Sequence, residues 1–172
     1  MTMKVYLIRH AEAVDRAGDA PDAARHLTAR GRLSVRETAR RLTGERFLPK
    51  VFLSSPLARA LQTADILAER TGYEGEVIAA ARLGPGFDLE GLNAVLDSFP
   101  GETEIALVGH EPDLGRVVSQ LLSLPKGYAM PKGAVAAVVL PDAGSRLRGT
   151  LDWLLAGDRR IVDPSELTGR ET

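Results

Sequence analysis

The chain has 172 residues, a mass of 18.5 kDa and a formal net charge of −1, with 22 basic residues set against 23 acidic ones. That length suits one domain spanning residues 1–172, able to bury roughly 70% of its unfolded surface, while the balanced charge excludes a global attraction to nucleic acid or to an anionic membrane. With no cysteine there is no disulfide, thiolate nucleophile or cysteine zinc site. No apolar run approaches the roughly 20 residues of a membrane span, and a first strand starting at Lys4 leaves no room for a signal peptide, so a cytoplasmic protein is expected.

Val5-Tyr6-Leu7-Ile8 is a continuous apolar run, the pattern of a strand buried on both faces, and it ends abruptly in Arg9-His10-Ala11-Glu12. Polar groups at the carboxyl end of such a strand lie where open α/β sheets bind ligands. A cation fixed beside an imidazole suits an anion, and phosphate is an anion that histidine can also attack. A polar loop over residues 14–26, containing Gly18 and Pro21, is long enough to form a functional rim. Thr28 then caps a predicted helix whose Gly31, Val35, Thr38, Ala39 and Leu42 share one face, which Gly44 stops, and whose arginines from Arg30 to Arg41 form a solvated face.

Val51-Phe52-Leu53-Ser54 reads as a second buried strand. Ser55 as N-cap with Pro56 at the first helical position predicts a helix to about Arg70, ended by Gly72 and burying Leu57, Leu61, Ala64 and Leu67 or Ala68. Arg59 then falls in the first turn, where the helix dipole disfavours a cation unless an anion lies beside it. Val77-Ile78-Ala79 is a weak strand candidate, residues 82–91 read as a loop, and residues 92–98 as a short helix closed by Pro100-Gly101. Residues 105–110 repeat the first strand's design, an apolar run ending in His110, and Pro112 opens a helix striped by Leu114, Val117, Val118, Leu121 and Leu122. Residues 134–140 and 148–154 are β-rich and separated by Pro141-Asp142-Ala143-Gly144-Ser145, a hairpin with a longer loop; the tail from Asp163 reads as a short helix or frayed end. This order predicts an α/β fold of three layers, α/β/α, with a mainly parallel sheet and an antiparallel C-terminal hairpin.

Two histidines at the ends of two buried strands converge on one crevice if those strands are neighbours. Joined by Arg9 and Arg59, they are poorly explained by packing alone. His10-Ala11-Glu12 matches the H-x-E of zinc deaminases, but that chemistry needs a cysteine pair. A phosphate-binding G-x-x-x-x-G-K-[ST] loop and a G-x-S-x-G serine elbow are both absent. A metal site built from His10, His26, His110 and a carboxylate is a remaining alternative, opposed by the charge of two nearby arginines.

Three blocks in order carry a resemblance: residues 7–12 (Leu7-Ile8-Arg9-His10-Ala11-Glu12), residues 53–64 around Ser55-Pro56-Leu57-Ala58-Arg59, and Val108-Gly109-His110-Glu111-Pro112. Together they resemble the signature blocks of the histidine phosphatase superfamily, whose fold is phosphoglycerate mutase-like. The short length, the segment from Arg25 to Gly31 and the closing hairpin most resemble the SixA-type phosphohistidine phosphatases. The resemblance implies that His10 is the nucleophile, that Arg9, Arg59 and His110 hold the phosphoryl group with His110 protonated, and that no metal or other cofactor is needed. It implies as partner a phosphorylated protein, such as a histidine phosphotransfer domain in signal transduction, or a small phosphoester. A mutase-like activity and a non-catalytic phosphate-binding module are the other readings.

The chain departs from the superfamily pattern at two places. Ala11 stands where a glycine is usual, and the glutamate that donates a proton in mutase-like members has no clear counterpart in residues 82–90, where the acids are Asp88 and Glu90. Glu111, adjacent to His110, is the candidate proton donor, although a position at a helix start is expected to lower its pKa.

Overall fold

The computed structural model describes residues 2–141, 148–167 and 169–170. The apolar run at the start of the chain becomes β1 (Met3–Arg9), and its side chains alternate between two separate cores. Val5 and Leu7 join one apolar cluster, and Tyr6 and Ile8 join the other. Both faces of β1 are therefore dry, which is why its sequence shows no polar alternation.

Neighbours in the sheet come from β2 (Val51–Ser54), β3 (Val77–Ala79), β4 (Glu104–Gly109), β6 (Val135–Leu140), β7 (Thr150–Ala156) and β8 (Arg159–Ile161). The strand order is β3-β2-β4-β1-β6-β7-β8. The first four of these are parallel, and β6, β7 and β8 continue the sheet by antiparallel pairing. The predicted hairpin is thus β6–β7, docked on β1, with β8 as an additional outer strand. Its turn residues 142–147 lie outside the described residues. A separate two-stranded pair joins β5 (Tyr128–Ala129) to β9 (Gly169–Arg170), which lies beyond the short 3-10 turn Pro164–Glu166 in the C-terminal tail.

Helices α1 (Ala29–Thr43) and α2 (Ala58–Thr71) cover one face through Val35, Ala39, Leu42, Ala60, Ala64 and Leu67. Helices α3 (Leu89–Asp97) and α4 (Asp113–Leu121) cover the other through residues such as Leu92, Leu96, Leu114 and Val118. The predicted three-layer arrangement is observed. Thr28 caps α1 as its sequence indicates, its Oγ1 accepting the Gly31 N–H, and Gly44 ends it. Not all of the basic run is solvated, since Arg32 donates to the Leu27 carbonyl at 3.0 Å and Arg41 to the carbonyls of Gly157 and Arg159.

Two helix starts differ from the sequence reading. The second helix begins at Ala58 rather than Pro56, so its buried face is Arg59, Ala60, Thr63, Ala64, Leu67 and Ala68, with Leu57 and Leu61 only half-buried. The third begins at Leu89 because the Asp88 carboxylate accepts the Gly91 N–H and caps it. No helix among the described residues is long and apolar enough to cross a membrane.

Candidate active site

Parallel pairing of β1 with β4 sets Arg9 opposite Gly109, so the residues that follow, His10 and His110, leave the sheet side by side. Their ring centroids are 5.1 Å apart. The turn carrying His10 is held from both sides: its N–H donates to the Gly109 carbonyl at 3.2 Å, its carbonyl accepts from Gly133 at 3.1 Å, and the Arg9 N–H donates to Ala134 at 3.0 Å. Ala11 is fully buried, and its N–H donates to Thr63 Oγ1 of α2 at 3.2 Å. The loop beyond closes at Glu12, whose carbonyl accepts the Thr28 N–H and whose carboxylate accepts the Thr28 hydroxyl at 2.9 Å. Gly31 permits this approach, because a Cβ there would lie 2.2 Å from the Glu12 carbonyl oxygen.

His10 has a defined tautomer. Its Nδ1 is 2.7 Å from the Ala11 carbonyl, which only accepts, so Nδ1 carries the proton. Nε2 keeps its lone pair and accepts from Arg59 Nε at 3.3 Å. Burial lowers the imidazole pKa to about 4; His110, Arg59 and Arg9 push the same way, and the bond to Ala11 opposes them. At neutral pH this is an uncharged imidazole with an available nitrogen.

His110 is also neutral rather than protonated as the resemblance implies. Burial brings it to about 4; Arg59 and Arg9 push the same way, and Asp22 and Asp113 oppose them. Its Nε2 lies 2.7 Å from Ser55 Oγ. Ser55, read from the sequence as a helix cap, accepts the Leu57 N–H at 3.2 Å and stands as the partner of His110. The second ring nitrogen, Nδ1, is buried without a hydrogen-bond partner among the described residues, as is Arg9 Nε. Arg9 Nη1 donates to the Met130 carbonyl at 2.8 Å. Unpartnered buried polar atoms beside two cationic side chains suit the oxygens of an anion.

Arg59 is buried in the first turn of α2, as the sequence predicts, and its position is fixed by a residue the sequence did not single out. Asp22, in a short 3-10 turn (Asp22–Ala24) of the 14–26 loop, accepts from Arg59 Nη1 through its carbonyl and from Nη2 through its carboxylate, both at 3.0 Å. Arg25 Nη1 donates to the other carboxylate oxygen at 3.1 Å. Together Arg25 and Arg59 hold the Asp22 pKa below the usual carboxylate range.

Glu111 lies beside this cluster, its Oε1 accepting the Gly115 N–H at 2.6 Å. Its pKa moves opposite to the sequence expectation. Burial raises it, and this outweighs the amides of Gly115 and Met130 and the charge of Arg9, which lower it. The helix start is present, but desolvation is the larger effect. Asp88 is exposed and serves as the α3 cap, and Glu90 is exposed in the following turn. His26 is exposed and does not join the two buried histidines. Among the described residues no group of three His, Asp or Glu side chains could hold a metal ion.

The family model described as histidine phosphatase superfamily (branch 1) matches residues 5–85, a span that includes Arg9, His10 and Arg59. An uncharacterised protein of Picosynechococcus sp. is 31% identical over 153 residues, covering 87% of this chain and 92% of the relative. The phosphohistidine phosphatase SixA of Escherichia coli is 27% identical over 156 residues, 90% of this chain and 94% of the relative. Among solved structures, the protein histidine phosphatase SixA complexed with tungstate superposes with a TM-score of 0.80 at 27% identity, covering 90% of this chain and 97% of the other. The same three-layer, phosphoglycerate mutase-like fold thus underlies both molecules, and with a relative above 30% identity matched over nearly its whole length, the chain belongs to the histidine phosphatase superfamily.

Proposed function

We propose that this phosphatase works through a phosphohistidine intermediate on His10, needs no metal, and takes its phosphoryl group from phosphohistidine in a protein such as a histidine phosphotransfer domain. The observation that carries the reading is the His10 ring. Its Nδ1–H is tied to Ala11, and its Nε2 lone pair points to Arg59 Nε, where a phosphoryl oxygen would be met by positive charge.

In the first step Nε2 attacks phosphorus in line, forming an N–P bond as the bond to the leaving group breaks, and the leaving group departs with the electron pair. Arg9 Nε, and Arg59 Nε as it turns from His10 Nε2 to the incoming group, meet the equatorial oxygens. We assign Ser55 Oγ–H as donor to His110 Nε2, the acceptor within reach of that hydroxyl proton; Nδ1–H of His110 is then a further donor. In the second step water attacks phosphorus, the N–P bond breaks with its electron pair returning to His10 Nε2, and the proton of the water passes to the Glu111 carboxylate left by the first step, releasing inorganic phosphate and restoring both residues. Glu111, whose carboxyl is pushed toward the protonated form, is the proposed source of the leaving-group proton.

Openness of the site supports a protein-borne substrate. Among the described residues the connections at this end of the sheet carry only 3-10 turns and the two-residue β5, with no helical cap. A side chain presented by a folded partner needs such access, whereas a mutase must enclose its phosphoenzyme against water. The test is a side-by-side turnover comparison of a phosphohistidine protein, a sugar phosphate and an aryl phosphate. A higher kcat/KM on the phosphohistidine protein is expected; preference for the sugar phosphate would make this a small-molecule phosphomonoesterase.

A further inference from the structure

We propose that Asp22 is a positioning residue for the reaction, aiming the Arg59 guanidinium at the His10 nitrogen; this rests on the reading of His10 as nucleophile. Arg59 has no carboxylate partner on its own helix or strand end. Its fork is instead gripped at the far end by one residue, with Nη1 on the Asp22 carbonyl and Nη2 on the Asp22 carboxylate. That grip takes the end-on edge of the guanidinium. The side-on edge, with Nε–H, is left facing His10 Nε2 at 3.3 Å. A phosphoryl group arriving at Nε2 therefore meets a guanidinium already turned toward it, and Asp22 need not leave for it to bind.

Asp22 is itself held. Arg25 donates to its second oxygen, and Arg25 Nε donates to the Val14 carbonyl at 2.8 Å, which ties the far side of the loop to the same point. On the other flank Gln62 Oε1, one turn along α2 from Arg59, accepts the Leu27 N–H at 2.7 Å. The loop and α2 are thus locked by two residues on each side. The 14–26 segment acts as a brace for a catalytic cation, besides forming the rim of the site.

The experiment compares Asp22→Ala, Asp22→Asn and Arg25→Ala with Asp19→Ala, a control that removes the same charge from an exposed position on the same loop. Displacing a reacting group by about 1 Å costs on the order of 100-fold. Asp22→Ala is expected to lower kcat about 10- to 100-fold with a smaller change in KM. Asp22→Asn, which keeps the carbonyl contact and one amide oxygen, should recover part of the loss; Arg25→Ala should show a smaller loss, and Asp19→Ala none. Tungstate affinity, measured by calorimetry, should fall in the same order. This second arm decides the proposal even if no substrate is turned over, so failure of the phosphatase reading stays distinguishable. Unchanged or tighter tungstate binding in Asp22→Ala would overturn it, since Asp22 would then merely occupy the anion position. So would equal losses in Asp22→Ala and Asp19→Ala.

Discussion

Acidification should unfold this protein earlier than its carboxylates alone would require, because two imidazoles are buried uncharged. His10 and His110 sit at about 4 in the folded chain and near 6.5 once unfolded. Between those values the unfolded state binds more protons, so stability rises with pH across the window from about 4 to 6.5 and is lost as pH falls through it. At pH 5 each imidazole contributes a loss of about 2 kcal/mol relative to pH 8, or about 4 kcal/mol for the pair. Glu111 works against this. Its raised pKa lets the folded state take up a proton more readily, so the expected net loss is about 2–4 kcal/mol. Asp22, held low, loses its contribution only as pH falls through the carboxylate range and adds little at pH 5. The single tryptophan, Trp153, is buried in β7 and reports unfolding by fluorescence. In buffers free of phosphate and sulfate, the urea midpoint should fall by about 1–2 M between pH 8 and pH 5. His10→Asn should remove at least half of that shift. A midpoint that does not move between the two pH values, or a shift untouched in His10→Asn, would refute the reasoning.

Three further outcomes are expected. His10→Ala should abolish turnover, and brief labelling of the wild type with radioactive phosphosubstrate should trap phosphate in an acid-labile, base-stable bond absent from the variant. Glu111→Gln should slow hydrolysis of an alkyl phosphate about 100-fold or more while slowing phosphohistidine hydrolysis far less, since an imidazole leaving group is less basic than an alkoxide; equal losses on both substrates would give Glu111 a structural role at the Gly115 amide. Gly31→Ala should cost about 1–3 kcal/mol in urea denaturation, because its Cβ would lie 2.2 Å from the Glu12 carbonyl and force α1 off the post-β1 loop.

Arg9, His10, Arg59 and His110 were legible because each follows a strong local signal, an apolar run that stops or a helix that starts. Once the two strands are known to be parallel neighbours, convergence follows from register. Asp22 gave no such signal. It lies in a polar loop without periodicity, and its partner is 37 residues away in sequence. Ser55 was misassigned for a physical reason: its hydroxyl does accept a nearby amide, that of Leu57, but the helix starts three residues later and the same oxygen meets His110. For Glu111 the sequence displays the lowering influence, a helix start, and conceals the larger one, burial. Arg159-Arg160-Ile161 was invisible as a strand because an edge exposed to water shows little apolar pattern.

The turn bearing His10 is bonded into the sheet by Gly109, Gly133 and Ala134, all on strands or connections far from it along the chain. Its backbone amides should therefore exchange with solvent only on global unfolding, while those of residues 15–20, exposed and outside any helix or strand, exchange by local opening. An engineer inherits a useful separation from this. Residues 15–20 are open to replacement or extension to select a different phosphorylated substrate, provided that Asp22 and Arg25 keep their grip, and the chemistry proposed at His10 would be carried along unchanged.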